Sequence, residues 1–133
     1  MIVGIGHDVV EIGRVARIME GAAAGRFRRR VLTDAECEAA RARGNSAEFV
    51  AGRFAAKEAV VKALGCGIGQ AVGFRDIEIM PDAAGKPHCV LSADAWSRLA
   101  SAGGRFADGP VLLHVSISHE RSIASAFAIA ERC

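Results

Sequence analysis

The run Asn45-Ser-Ala-Glu-Phe-Val-Ala-Gly-Arg-Phe-Ala-Ala-Lys-Glu-Ala-Val-Val-Lys-Ala-Leu-Gly65 reads as one long helix over about 46–64. Asn45, with Glu48 three positions on, opens it, and Gly65 directly after Leu64 closes it. At 100° per residue, Ala55, Ala56, Ala59 and Ala63 line one side, small enough for another backbone to lie close. The other half mixes Arg53, Lys57, Glu58 and Lys62 with Val50, Phe54, Val61 and Leu64. Charge and apolar bulk are interleaved there, so the helix is predicted to be covered on most sides. Glu58 and Lys62 stand at i and i+4, either as a surface pair worth a few tenths of a kcal/mol or as a semi-buried functional pair.

The flanks supply what would cover such a helix. Upstream, residues 2–12 are rich in β-branched side chains and predict a strand on which Asp8 shares a face with Ile2, Val10 and Ile12. A carboxylate among apolar neighbours demands a compensating partner. Between Arg14 and Arg30 lie Arg14, Arg17, Arg26, Arg28, Arg29 and Arg30 against the single acid Glu20, a local balance of +5. Thr33-Asp-Ala-Glu36 is a capping-box pattern that opens a short helix ending near Gly44. Downstream, Gly65-Cys-Gly-Ile-Gly69 reads as a loop. Ile77-Glu-Ile and His88-Cys-Val-Leu flank Pro81 to Pro87 as a hairpin with Gly85 in its turn. Ser92 caps a helix running to Gly103 with Trp96 and Leu99 inward, and Val111–His119 with Ile123–Ala130 forms a second hairpin. Strands and helices do not alternate regularly, so the fold class is α+β, with an antiparallel sheet packed against the long helix.

At 133 residues and 13.9 kDa the chain fits one domain, residues 1–133. Hydrophobic residues make up 51% and charged residues 24%, enough for a real core and unlike a disordered chain. Much of the apolar share is alanine, with six Phe, one Trp and no Tyr, which favours close backbone packing and support from subunit contacts. A net charge of +2 argues for no particular partner. No apolar run approaches the ~18–20 residues of a membrane span, and Asp8 and Glu11 stand where a signal peptide would be uncharged, so a soluble, cytoplasmic protein is expected. Cys37, Cys66, Cys89 and Cys133 are too scattered for a zinc site and are expected as reduced thiols.

Gly4-Ile5-Gly6 starts like a dinucleotide fingerprint but fails at Val9, and Gly65 to Gly69 fails likewise at Gln70; a plain turn is the better reading of both. Ser118-His119 carries no nucleophile elbow, and adjacent strand residues point to opposite faces. His119 ends an apolar stripe with Val115 and Ile117, as a structural or a functional histidine. Asp8 and Glu58 are the strongest pair. Two carboxylates with few other ligands suit Mg²⁺, which completes its shell with water and substrate phosphates, and Lys62 one turn beyond Glu58 would neutralise phosphate oxygens. A structural Asp and a surface Glu–Lys pair are the plainer alternative. For the basic run, nucleic acid and an acidic protein partner are both candidates, although scarce aromatic residues and low overall charge weaken the first.

Three segments taken together resemble a known family. Gly4-Ile-Gly-His-Asp-Val-Val-Glu-Ile12 followed by Arg14, then Phe49 to Gly65, then Val115-Ser-Ile-Ser-His-Glu120 are similar to the short bacterial holo-[acyl-carrier-protein] synthases of the 4′-phosphopantetheinyl transferase superfamily. Val31-Leu-Thr33, Asp76-Ile-Glu-Ile79 and Gly85-Lys-Pro87 match as well, so the resemblance covers nearly the whole chain in order. It implies the phosphopantetheinyl transferase fold and transfer of phosphopantetheine from coenzyme A to a serine of apo acyl carrier protein, releasing adenosine 3′,5′-bisphosphate. The pathway implied is fatty acid biosynthesis, with a dedicated polyketide carrier as the other reading. The resemblance makes Asp8, Glu58 and Lys62 catalytic, with Mg²⁺ on Asp8 and Glu58. Glu58, or a metal-bound water it orients, becomes the base for the serine proton. Arg53, Lys62, Gly65, Lys86, Pro87 and His119 become coenzyme A contacts. Arg14, Arg17, Arg26, Phe27 and Arg30 become the dock for the acidic helix of the carrier, and the site is expected between subunits of a homotrimer. Neither nucleic acid nor membrane is then a partner. The sequence departs from the family pattern at Gly44-Asn45-Ser46, where Lys or Arg is common and Arg41 or Arg43 would substitute, and at Cys66, where threonine is usual. The region around 20–25 is also longer by about two residues.

Overall fold

The computed structural model describes residues 1–133. The chain runs β1 (Ile2–Glu11), α1 (Ile12–Glu20), α2 (Ala24–Val31), α3 (Asp34–Ala42), α4 (Ala47–Leu64), β2 (Ile77–Pro81), β3 (Pro87–Leu91), α5 (Ala93–Ser101), β4 (Leu112–His119) and β5 (Ile123–Glu131), with single 3₁₀ turns at Phe74–Asp76 and Gly104–Phe106. Strands β1, β5 and β4 form an antiparallel sheet in that order, and β2 and β3 form a separate hairpin. The α+β expectation holds.

Small residues set the distance between this sheet and α4. On β5, Ala124, Ala126, Ala128 and Ala130 are fully buried; across the ladder they face Val10, Asp8, Gly6 and Gly4 of β1. On α4, Ala55, Ala56, Ala59 and Ala63 are also buried, as the helical spacing predicts. Alanine facing glycine leaves no side chain to hold the layers apart. A Cβ added at Gly4 would lie 1.8 Å from Ala63 O, and one at Gly6 would lie 1.8 Å from Ala59 O. Gly4-Ile5-Gly6 is therefore not a turn. Its glycines sit within a strand because α4 passes too close for any side chain.

Other boundaries differ for local reasons. The first strand stops at Glu11, and Ile12 is buried as the first residue of α1, outside the sheet. The register slips between Ile2 and Gly4, leaving Ile2 exposed, so only Asp8 and Val10 of the expected apolar face turn inward. Thr33 and Glu36 form the predicted reciprocal cap of α3. Helix α4 is capped by Ser46, whose Oγ accepts from Phe49 N–H at 3.2 Å. Asn45 instead adopts φ 53° and donates its N–H to Ala40 O at 2.7 Å, finishing α3. Gly65, at φ 78°, ends α4 in the left-handed conformation. Helix α5 stops at Ser101, short of Gly103, with Leu99 buried and Trp96 packed against the core. The four cysteines are unpaired, and no helix is long and apolar enough to cross a membrane.

Candidate active site

Asp8 reaches α4 because its strand carries glycine at positions 4 and 6. The close approach brings Lys62 Nζ to 3.1 Å from Asp8 Oδ1 and 3.0 Å from His7 O. Lys62 thus bridges to β1 and not to Glu58, its i−4 neighbour. Glu58 accepts no hydrogen bond from a protein group and lines, with Asp8, a cavity of about 300 Å³ whose other walls include Val10, Arg14, Phe27 and Phe54. Burial pushes the Glu58 carboxyl above its usual range, the Asp8 charge adds to that, and Lys62 opposes it. Two carboxylates held together at a cost to one of them, half-open to solvent, are a donor set for a hard divalent cation. No third His, Cys, Asp or Glu joins them.

A second cavity of about 240 Å³ adjoins the first through shared walls, Phe27, Phe54 and Glu58, and adds Arg30, Ile68 and Phe74. Together the two form a trough past Glu58 with mostly apolar walls, Arg14 lining the first cavity and Arg30 the second. The basic run is not a single helix. It is split between α1 and α2, whose exposed sides carry Arg14, Arg17, Arg26 and Arg30.

Arg53 lies on a different side of α4, about 140° around the axis from Glu58 at 100° per residue. It is 8% exposed, donates Nε–H to Ile79 O at 3.0 Å and rests over the Phe49 ring at 4.4 Å; Arg43 packs on the same ring at 4.8 Å. Arg43, Arg53, Pro87, Ile117 and His119 line one pocket of about 220 Å³. Burial, and to a smaller degree Arg43, holds the Arg53 guanidinium below its ordinary value, with Glu36 opposing.

A sequence model of the 4′-phosphopantetheinyl transferase superfamily matches residues 4–110, most of the chain. The chain belongs to that superfamily. A holo-[acyl-carrier-protein] synthase of Bacillus cereus is 40% identical over 98% of this chain and 97% of its own length. The fold superposes on the synthase of Neisseria meningitidis with a TM-score of 0.83 at 37% identity, over 99% of this chain and all of that one. It superposes on the Bacillus anthracis synthase, solved in complex with CoA (3′,5′-ADP), with a TM-score of 0.80 at 38% identity, over 100% of this chain and 99% of that one.

Within this phosphopantetheinyl transferase fold, the residues singled out in the sequence form two groups. Asp8, Glu58, Arg14, Phe27 and Arg30 gather around the trough, with Lys62 tied to Asp8. Arg53, Pro87 and His119 gather in the second pocket. Lys86, Gly65, Arg17 and Arg26 are exposed and line neither. The sequence reading missed two features. One is the choice between the two candidates Arg41 and Arg43: Arg43 stands beside Arg53 on the Phe49 ring, while Arg41 pairs with Glu38. Lys57, in the middle of the long helix, is wholly buried and ion-paired to Glu36 at 2.5 Å, whereas Glu36 reads in the sequence as a cap alone.

Proposed function

We propose that this chain transfers the 4′-phosphopantetheine group of coenzyme A to a serine hydroxyl of apo acyl carrier protein and releases adenosine 3′,5′-bisphosphate. The convergence of Asp8, Glu58 and Lys62 at the head of an apolar trough carries this reading, supported by family membership and by relatives named for the same reaction. The serine oxygen attacks the phosphorus bearing pantetheine, the phosphoanhydride bond breaks, and the serine proton leaves to a base. Glu58 is suited to that task, since burial and Asp8 raise its proton affinity above that of a free carboxylate. Asp8 holds Lys62 by its ammonium, and Lys62 offsets charge that builds on the phosphate oxygens. Asp8 and Glu58 would hold Mg²⁺, which supplies further charge neutralisation at those oxygens. Arg53, Pro87 and His119, with Lys62, Gly65 and Lys86, would contact coenzyme A, and Arg43 joins them as the cation that stands in for the missing Lys or Arg near position 44. Arg14, Arg17, Arg26, Phe27 and Arg30 would dock the acidic helix of the carrier.

Residues 1–133 act as one domain in this reading, and the protein works as a homotrimer in the cytoplasm, in fatty acid biosynthesis. Two observations support assembly. The outer face of the three-stranded sheet exposes Ile5, Val9, Leu112, Ile123 and Phe127, and Phe127 is stacked on His7 at 4.2 Å. Such a patch marks a protein contact. The Arg53 pocket and the Glu58 trough lie on different sides of one helix, so a single chain offers two half-sites and a neighbouring copy would complete each.

The test is the intact mass of an apo carrier protein incubated with the protein and coenzyme A, with Mg²⁺, with EDTA and with Glu58→Gln. A gain of one phosphopantetheine group confined to the wild-type Mg²⁺ sample is expected; no gain with several carriers would overturn the assignment.

A further inference from the structure

The mechanism above leaves unused the most deeply buried charged pair in the molecule. Lys57 and Glu36 are both 0% exposed. Besides its ion pair, Lys57 Nζ donates to Val31 O at 2.7 Å and to Phe74 O at 3.0 Å. Glu36 in turn accepts from Ile79 N–H at 2.8 Å through Oε2 and from Thr33 N–H at 2.9 Å through Oε1. One ammonium on α4 is thereby fastened to the last residue of α2, the first turn of α3 and the 3₁₀ turn before β2. Burial lowers the proton affinity of Lys57, and the Glu36 carboxylate opposes that.

The groups it fastens are walls of the trough. Val31 ends the helix that carries Arg26, Phe27 and Arg30, and Phe74 is itself a wall. Their rings meet through Phe54 of α4, with centroids at 6.3 Å from Phe27 to Phe54 and 5.4 Å from Phe54 to Phe74. Glu58, the next residue after Lys57, faces the same space. We infer that Lys57 is a positioning residue that fixes the carrier-docking helix α2 relative to the helix bearing Glu58, and so sets productive binding of the carrier without touching substrate. This rests on the reading of α2 as the carrier dock.

A purely stabilising ion pair predicts something different. Replacing both charges removes the unpaired-charge penalty, so a neutral pair restores part of the stability but not the two bonds to the Val31 and Phe74 carbonyls. The test compares wild type, Lys57→Met, Glu36→Gln and the double variant Lys57→Met/Glu36→Gln by thermal melting, by hydrogen exchange of residues 24–31, and by KM for carrier and for coenzyme A. Lys57→Met is expected to melt lowest, because Glu36 is left buried without a counter-charge. The double variant melts above Lys57→Met and regains part of the melting temperature, yet its KM for carrier stays about tenfold above wild type. Its KM for coenzyme A stays within about twofold, and exchange of 24–31 is faster. Glu36→Gln alone keeps both carbonyl bonds and holds a wild-type KM for carrier. Recovery of the carrier KM together with the melting temperature, unchanged exchange of 24–31, or an equal rise in the carrier KM from Glu36→Gln would each overturn the assignment. Should the wild type modify no carrier, the reading of the site fails, and the exchange of 24–31 decides the tie by itself.

Discussion

Gly6→Ala is expected to part β1 from α4 and to lower stability and activity together. An ideal Cβ at this position falls 1.8 Å from Ala59 O and 2.8 Å from Ala63 N. Ordinary contact begins near 3.4 Å, and both obstacles are backbone, so strand or helix retreats by about 1.6 Å. Overpacking costs ~1–3 kcal/mol, with the upper end applying where backbone must move. At about 4 °C per kcal/mol for a domain of this size, the melting temperature falls by roughly 10 °C. The same retreat carries Asp8 away from Lys62 and opens the 3.1 Å contact beyond hydrogen-bond reach. Misplacement of catalytic groups by ~1 Å costs on the order of 10²-fold in rate. Calorimetry and the initial rate of carrier modification by intact mass read both effects. Gly13→Ala is the control: its added Cβ meets only the Arg17 side chain at 3.6 Å, and alanine raises helix propensity by ~0.5–1 kcal/mol, so that variant melts a few degrees higher and stays active. A Gly6→Ala protein melting within about 2 °C of wild type with its rate intact would refute the close-approach reasoning.

Glu58→Gln is expected to cut the transfer rate by ~10²–10⁴-fold, the usual contribution of a positioned base, while raising the melting temperature at neutral pH in EDTA. The sign follows from the raised carboxyl: folding disfavours ionised Glu58, so the stabilising effect of the amide emerges as pH climbs from the unfolded to the folded pKa and is complete above it. A scan of melting temperature against pH checks this, and equal melting of the two proteins across the range would contradict it. Arg26→Glu, or raising salt from 50 to 300 mM, should increase KM for the carrier several-fold and leave KM for coenzyme A unchanged, because the docking charges are exposed and screened. Steady-state kinetics with each substrate varied in turn would show it. Phe127→Glu places a charge on the bare sheet face; if that face joins the proposed trimer, the variant sediments as a smaller species than wild type, with no loss of intrachain core, and equal sedimentation of the two would contradict the proposal.

The long helix was legible because its alanines and its glycine stop are local signals, and Asp8 stood out because a carboxylate on an inward strand face needs a compensating partner, structural or functional. The capping box of α3 was legible for the same reason. What failed was anything fixed by contact between distant segments. Glycine at positions 4 and 6 is turn-like in isolation and becomes a strand residue only when Ala59 and Ala63 arrive beside it. Asn45 and Ser46 are both plausible caps, and the choice falls to Ser46 because Asn45 is engaged by Ala40. Lys57 reads in the sequence only as one of several charges on a covered helix, and its partners appear when α2, α3 and the Phe74 turn close over it. The pairing of Lys62 with Asp8 in preference to Glu58 is likewise a tertiary choice across more than fifty residues.

The placement of Arg53 and Glu58 on different sides of α4 separates two kinds of damage genetically. If the functional unit is assembled from the Arg53 pocket of one copy and the Glu58 trough of another, a chain defective at Arg53 and a chain defective at Glu58 are each silent alone. Once subunits exchange, a mixed assembly contains a junction at which both intact halves meet. Mixing two dead proteins then restores measurable turnover, and two lesions within one chain are not interchangeable with the same lesions in separate chains.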